Sequence, residues 1–537
     1  LILYLFLITF YLTLLLLFII SVSMLNSKFL QKGGNVAADL YLLHLNRFNI
    51  LPYALFFGES AGVDSIIRSE TIMSFLHMAE RKGFALLADQ IIAHRNDQEK
   101  WTSDMLHLVD MSEKFLGSFY GEDIYVQARK QLKENGRWAR FALHALQSVH
   151  PRVAKTAALN GGFQAAFLGR QKTLSLSEKY GINIPWIILM DPTSRCNMHC
   201  TGCWAAEYGH TLDISYETLD RIISEGENMG IYFYMMTGGE PLTRWNDIRK
   251  LAASHPCCEF MLFTNATLIN PENVQEMTAL GNIALSISIE GFEETNDSRR
   301  GKGCFRRVMK AMDLLHRQGM LFGSSTCYTK KNIPDVMSDR FFNLLIDRGC
   351  LFAWFFHYMP VGQDAASALL PTPDQRAYVY HRIREVRRSS PDGQGRFLFP
   401  MDFQNDGEFV NGCIAGGRCY CHINSNGDME PCVFIHYSNM NIKNHSLLEC
   451  LSQPLFRVYK KRQPFNHNHL RPCPMLENPE ILGQMIREVH APSTDLMAPE
   501  QPDNLFQKCV SYAAAWTPEA EKLWKESHPE STHGSNS

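Results

Sequence analysis

An excess of charge of either sign is absent from this chain: across 537 residues, 52 Lys and Arg meet 55 Asp and Glu, for a formal net charge of -3. So even a balance gives no electrostatic footprint for a nucleic-acid backbone, and that class of partner is excluded from the reading. No internal repeat is visible, which removes solenoids and propellers. The N-terminus lacks the basic start and the small-residue cleavage site of a secretory signal. Residues 1–25 lack charge altogether, with Lys28 and Lys32 following. That stretch is long enough to cross a bilayer as an anchor with the remainder on the cytoplasmic side. The chain also opens on Leu and carries Met24, so an upstream extension of a cytoplasmic protein is the preferred reading of residues 1–27, with the anchor as the alternative.

What is present is a 45% apolar composition in a chain this long, enough for two or more packed domains. Its 15 cysteines fall into groups with metal-ligand spacing, which argues for a reducing compartment over a disulfide framework. Residues 28–184 read as helical, with amphipathic stretches at 71–93, 101–120 and 123–150. Such a domain would cap the core, bind a substrate or dock a partner. Within it the apolar stretch 40–57 reads as core or as a lipid surface. Further segments follow at 185–375, 376–480 and 481–537, the last helical with a disordered tail after about 525.

Cys196, Cys200 and Cys203 form a C-x3-C-x2-C loop directly after the apolar run 185–190. Three thiolates on one loop can hold an iron-sulfur cluster and leave its fourth iron without a protein ligand. With His199 among them they would equally make most of a zinc site. Downstream, strand candidates at 185–190, 231–236, 260–264, 283–289, 321–328 and 352–357 alternate with amphipathic helices. Leu219, Ile222 and Ile223 share one helical face before Gly230, and Phe305, Val308, Met312 and Leu315 share another before Gly319. Alternation of this kind predicts a parallel sheet closed in part into a TIM-like (βα)6 barrel, with reactive groups on the loops at the C-terminal strand ends. Four motifs fall on such ends: Gly238-Gly239-Glu240, Thr264-Asn265, Ser288 to Gly291 with Arg300 twelve residues beyond Ser288, and Tyr358 to Gly362.

The Cys spacing and these loops together resemble the radical S-adenosylmethionine (radical SAM) enzymes over about 186–362. The resemblance implies a 4Fe-4S cluster on Cys196, Cys200 and Cys203, whose open iron is chelated by SAM. One-electron reduction then releases a 5'-deoxyadenosyl radical that takes hydrogen from substrate. It implies further that Gly238, Gly239 and Glu240 hold the ammonium of SAM's methionine, that Ser288 and Arg300 hold its carboxylate with Arg299 as the alternative, and that Asn265 lies near the substrate space. The loop at 358–362 would line the adenine. One departure stands out: Gly202 occupies the position before the third Cys, where the family is usually aromatic, and Trp204 follows that Cys instead.

A second group, Cys413, Cys432 and Cys473, spans a segment with Gly427 five positions before Cys432. Tyr420 to Ile423, a turn at 424–428 and a return toward Cys432 predict a hairpin that turns two thiolates toward one metal. The C-x13-G-x4-C spacing resembles the auxiliary-cluster extension called SPASM or twitch, and 376–480 is expected to be a small α+β extension of that kind. The dense cysteine run of full SPASM is missing. One auxiliary 4Fe-4S cluster is therefore expected, with its fourth ligand open among Cys419, Cys421, Cys450 and a non-protein group. A structural zinc hairpin is the competing reading.

The resemblance also implies an external electron donor of flavodoxin or ferredoxin type. It names no substrate: a lipid or small molecule and a peptide remain candidates, and no peptide-binding winged-helix pattern is visible near the start. A non-catalytic iron-sulfur or zinc protein is the alternative class, and the SAM-contacting loops are what it would not need.

Overall fold

A computed structural model describes residues 80–116, 122–362, 365–388 and 396–528. The segment 1–27, the apolar stretch 40–57, part of 71–93 and the tail after 528 lie outside them. Seven parallel strands follow one another in sheet order: β1 Ile187–Met190, β2 Phe233–Met236, β3 Glu259–Thr264, β4 Ile283–Ser288, β5 Phe322–Tyr328, β6 Phe352–His357 and β7 Phe399–Asp402. Their residues are nearly all buried on both faces, as a parallel sheet wrapped by helices requires. Each expected strand is present within a few residues, and β7 extends the row by one.

Helices cover the outside in the expected manner. Ser215 caps Tyr216–Met229 with its side chain, Leu219, Ile222 and Ile223 face the core, and left-handed Gly230 ends the turn at φ +89°. Cys304–Arg317 buries Val308, Met312 and Leu315 in the same way.

The predicted hairpin forms as β8 Tyr420–Ile423 and β9 Met429–Glu430, with Gly427 at φ +90° in its turn. It is joined to the barrel's own sheet. β8 lies parallel to β1, Ile187 opposite Tyr420 and Met190 opposite Ile423, so one sheet runs β7-β6-β5-β4-β3-β2-β1-β8-β9. Segment 376–480 thereby contributes β7, β8 and β9 to the same sheet as the barrel strands.

The described N-terminal helices cover the base of the barrel, away from the C-terminal strand ends. Asn160 donates to the carbonyls of Pro256 (3.1 Å) and Cys258 (2.9 Å), just before β3. His150 N donates to Gly319 O, before β5, at 2.8 Å. The stretch read as one helix at 123–150 is two, Glu122–Lys133 and Arg137–Ser148, because Asn135 adopts φ 45° ahead of Gly136. Ala158–Gly169 winds as a π-helix, which the sequence pattern did not suggest. Helix Pro502–Ser527 packs back onto the barrel, with Trp516 fully buried beneath the Arg376 guanidinium at 4.2 Å. Among the described residues no helix is long and apolar enough to cross a membrane.

Candidate active site

β1 ends at Met190, and the chain turns into the cysteine loop pinned on both sides. Ser194 N donates to Leu212 O, and Leu212 N returns a bond to Ser194 Oγ, both at 2.9 Å. From β2, Gly239 N donates to Thr193 O (2.9 Å) and Glu240 N to Arg195 O (2.8 Å). The glycines are required by this seam: a Cβ on Gly238 would stand 2.4 Å from Thr193 O, and one on Gly239 2.1 Å from Arg195 O. What the glycines approach among the described residues is the cysteine loop's own backbone.

Glu240 is 1% exposed and acts as a bracket between strand ends. Its Oε1 accepts from Leu242 N (3.0 Å) and Thr264 Oγ1 (2.6 Å), and its Oε2 from Asn265 N (2.8 Å). Burial pushes the carboxyl up, and these three bonds draw it back. Asn265 turns toward the cysteine loop, donating to Asn197 Oδ1 at 2.9 Å with Cys196 Sγ at 3.9 Å.

After β4, Glu290 (1% exposed) receives two arginines. Arg299 Nη1 lies 2.7 Å from its Oε1, while Arg299 Nε and Nη2 donate to Thr201 O (3.2 Å) and Gly202 O (3.4 Å), inside the cysteine loop. Arg300 turns Nε and Nη2 to the same carboxylate, 3.1 and 2.5 Å away. Among the described residues, Arg299 thus spends all its nitrogens on the protein, whereas Arg300 keeps Nη1.

Cys196, Cys200, Cys203, Gly238, Gly239, Glu240, Asn265, Ser288 and Arg300 all line one cavity of about 230 Å³ at the C-terminal strand ends, and Tyr358 borders it too. Burial pushes the Cys196 thiol up to about 11; it also raises Cys200, against the pull of Arg300. His199 is exposed and packs edge-on against His210 at 5.2 Å, outside that cavity. Among the described residues no three His, Cys, Asp or Glu converge on a single-ion position. The zinc alternative gains no fourth ligand from His199, while three soft thiols lining one cavity fit an iron-sulfur cluster.

Cys413, Cys432 and Cys473 line a second cavity of about 50 Å³, walled off by Met359, Phe403, Ile414, Tyr420 and Phe434, which border both. Tyr420 Oη donates to Cys432 Sγ at 2.8 Å. Burial pushes Cys413 up to about 11 and Cys432 to about 12, and raises Cys473. Cys419 borders the larger cavity instead, and Cys421 and Cys450 border neither.

A buried polar hub joins the two regions. His422 on β8 lies 3.1 Å from Asp191, at the root of the cysteine loop, and 2.7 Å from Glu430 on β9. Glu430 also accepts from Tyr208 Oη (2.9 Å), Asn424 Nδ2 (2.8 Å) and Thr494 Oγ1. Burial alone would depress His422, but its two carboxylate neighbours lift it to about 10. Trp204, next to Cys203, rests edge-on against the His422 ring at 5.9 Å. Sequence reasoning missed this hub, Arg299's tether, and Glu290, although Glu290 lies within a segment singled out for its likeness to a family motif.

Residues 190–336 match the model of the radical SAM superfamily. The chain is 26% identical over 292 residues to the AdoMet-dependent heme synthase of Methanosarcina barkeri, covering 50% of this chain and 82% of that protein. It is 27% identical over 296 residues to mycofactocin maturase MftC of Mycobacterium tuberculosis, covering 51% and 74%. Among solved structures, Streptococcus suis SuiB bound to S-adenosylmethionine aligns at 18% identity and a TM-score of 0.43, over 61% of this chain and 77% of that one. A parallel barrel with three clustered thiols at its C-terminal rim defines a class of cofactor-dependent enzymes. Within that class, residues 190–336 form a domain of the radical SAM superfamily, a family that uses a 4Fe-4S cluster and SAM.

Proposed function

We propose that Cys196, Cys200 and Cys203 hold the SAM-binding 4Fe-4S cluster and that the cavity above them is the reaction chamber. When bound, cluster and SAM supply the reductive chemistry that starts hydrogen abstraction from substrate. The chain's own residues bind, orient and shield. Gly238, Gly239 and Glu240 take the methionine ammonium, with backbone carbonyls the available acceptors because the Glu240 carboxylate already has three donors. Ser288 and Arg300 take the methionine carboxylate; Arg300 is favoured over Arg299 because only it keeps an uncommitted Nη1. Asn265 supports Cys196 from the side.

Cys413, Cys432 and Cys473 hold one auxiliary 4Fe-4S cluster. No further cysteine borders their cavity, which supports a non-cysteine fourth ligand. An external flavodoxin- or ferredoxin-type protein delivers the electron. The observation that carries the reading is the single cavity shared by the three thiols, the glycine loop, Ser288 and Arg300. The mostly apolar remainder of its lining supports a lipid or small apolar molecule over a peptide as substrate. Peptide modification is favoured by one specific likeness, to a protein named a mycofactocin maturase.

Replacing Cys196, Cys200 and Cys203 together with Ala tests the assignment. Iron analysis and electron paramagnetic resonance (EPR) after anaerobic reconstitution should retain one cluster, and SAM cleavage should vanish. Equal loss of both cluster signals would show that the two ligand sets are misassigned.

A further inference from the structure

The cavity is divided by charge. Its charged lining residues, Glu240, Glu290, Arg299 and Arg300, all belong to the half beside the cysteine loop, where three of them pair with one another and Glu240 is bonded to its own strand ends. The part of the lining toward β3, β6 and β7 carries the aromatic side chains Phe263, Trp354 and Phe356, with Phe403 beyond β7. Its one histidine is committed: His357 Nδ1 faces Tyr358 O and Nε2 faces Tyr512 Oη, each at 2.6 Å. Burial holds that imidazole well below its usual range, in the neutral form. A carboxylate, phosphate or ammonium entering here would be buried without a counter-ion, which is strongly unfavourable.

The apolar half also has a particular texture. Trp354 and Phe356 stack at 5.8 Å and 15° along β6. Phe356 meets Phe403 at 5.1 Å and 42°, and Phe263 of β3 edge-on at 6.2 Å and 64°. An array offering both ring faces and ring edges matches another ring better than it matches a saturated chain.

We infer that the portion of the substrate entering this cavity is an uncharged aromatic group, seated against Phe356 between β3 and β7. The inference rests on the radical SAM reading and adds the chemical class of the reacting group. Charged ends of the same molecule would stay outside the chamber.

Equilibrium dialysis of the reconstituted, SAM-loaded holoenzyme tests it with two probes that share one ring system, neutral N-phenylnaphthylamine and anionic anilinonaphthalene sulfonate. The neutral probe should bind about tenfold or more tightly than the anion. Phe356→Leu, which keeps apolar bulk and removes the ring, should weaken the neutral probe severalfold while leaving decanol binding unchanged; Phe263→Leu, which removes the ring in edge contact with Phe356, should do the same. Equal or tighter binding of the sulfonate would overturn the inference. So would unchanged binding of the neutral probe in both leucine variants. Formation of 5'-deoxyadenosine by the wild-type holoenzyme reads out the radical SAM assignment separately, so a failed probe preference with intact SAM cleavage refutes the substrate class alone.

Discussion

Gly239 shows what a single residue position has to satisfy here. Its role was legible as a motif, two glycines and a glutamate 35 residues after Cys203, but the physical cause was not. The Arg195 carbonyl that forbids a Cβ comes from another strand's loop, and no local pattern announces such a neighbour. Gly239→Ala is expected to force the two loops apart at a cost of about 1–3 kcal/mol, measured as a lower midpoint of chemical unfolding. Iron retained by the SAM-cluster site should fall with it, while the auxiliary cluster's EPR signal stays. The arginines carry the same lesson. Sequence put Arg300 first with Arg299 as the alternative, and the carbonyls of Thr201 and Gly202 are what mark Arg299 as a tether to the cysteine loop.

At the level of elements, β1 to β6 were readable from their regular alternation with amphipathic helices, including β5, which carries Gly323, Ser324, Ser325 and Thr326. β7 was not: Phe399–Asp402 is four residues long and contains Pro400, a residue that argues against a strand away from an edge. β8 was readable as half of a hairpin, yet its partnership with β1 joins positions more than two hundred residues apart, beyond any spacing rule. Near the auxiliary cavity, Arg376 of helix Pro373–Arg387 pairs with Glu477 at 2.7 Å, both fully buried. Glu477 also accepts from Cys473 N at 2.7 Å. Arg376→Leu should therefore cost about 3–5 kcal/mol by leaving a buried charge unpaired. Denaturant unfolding would report that loss, and the auxiliary site should also retain less iron.

For the whole molecule, the shared sheet and the His422 hub join the barrel and the auxiliary hairpin. The sign of its pH dependence follows from His422. Its folded pKa, about 10, lies above the usual histidine value, so the stabilisation it brings is complete below about pH 6.5 and is lost as pH rises through about 10. Unfolding midpoints measured from pH 7 to 10 should fall more steeply in the wild type than in His422→Gln. A parallel pair of curves would remove His422 from this role. The base-capping helices were legible as helices and illegible in placement, since their contacts are glycine carbonyls and strand starts scattered along the barrel.

The central claim is that three thiols on the first loop place a reducible cluster and SAM in one chamber. Chromatography of the anaerobically reconstituted protein after incubation with dithionite and SAM tests it most directly. The account predicts 5'-deoxyadenosine and methionine in equal amounts, from protein holding about eight irons per chain. Zinc in place of iron at Cys196, Cys200 and Cys203, with SAM recovered intact, would contradict it.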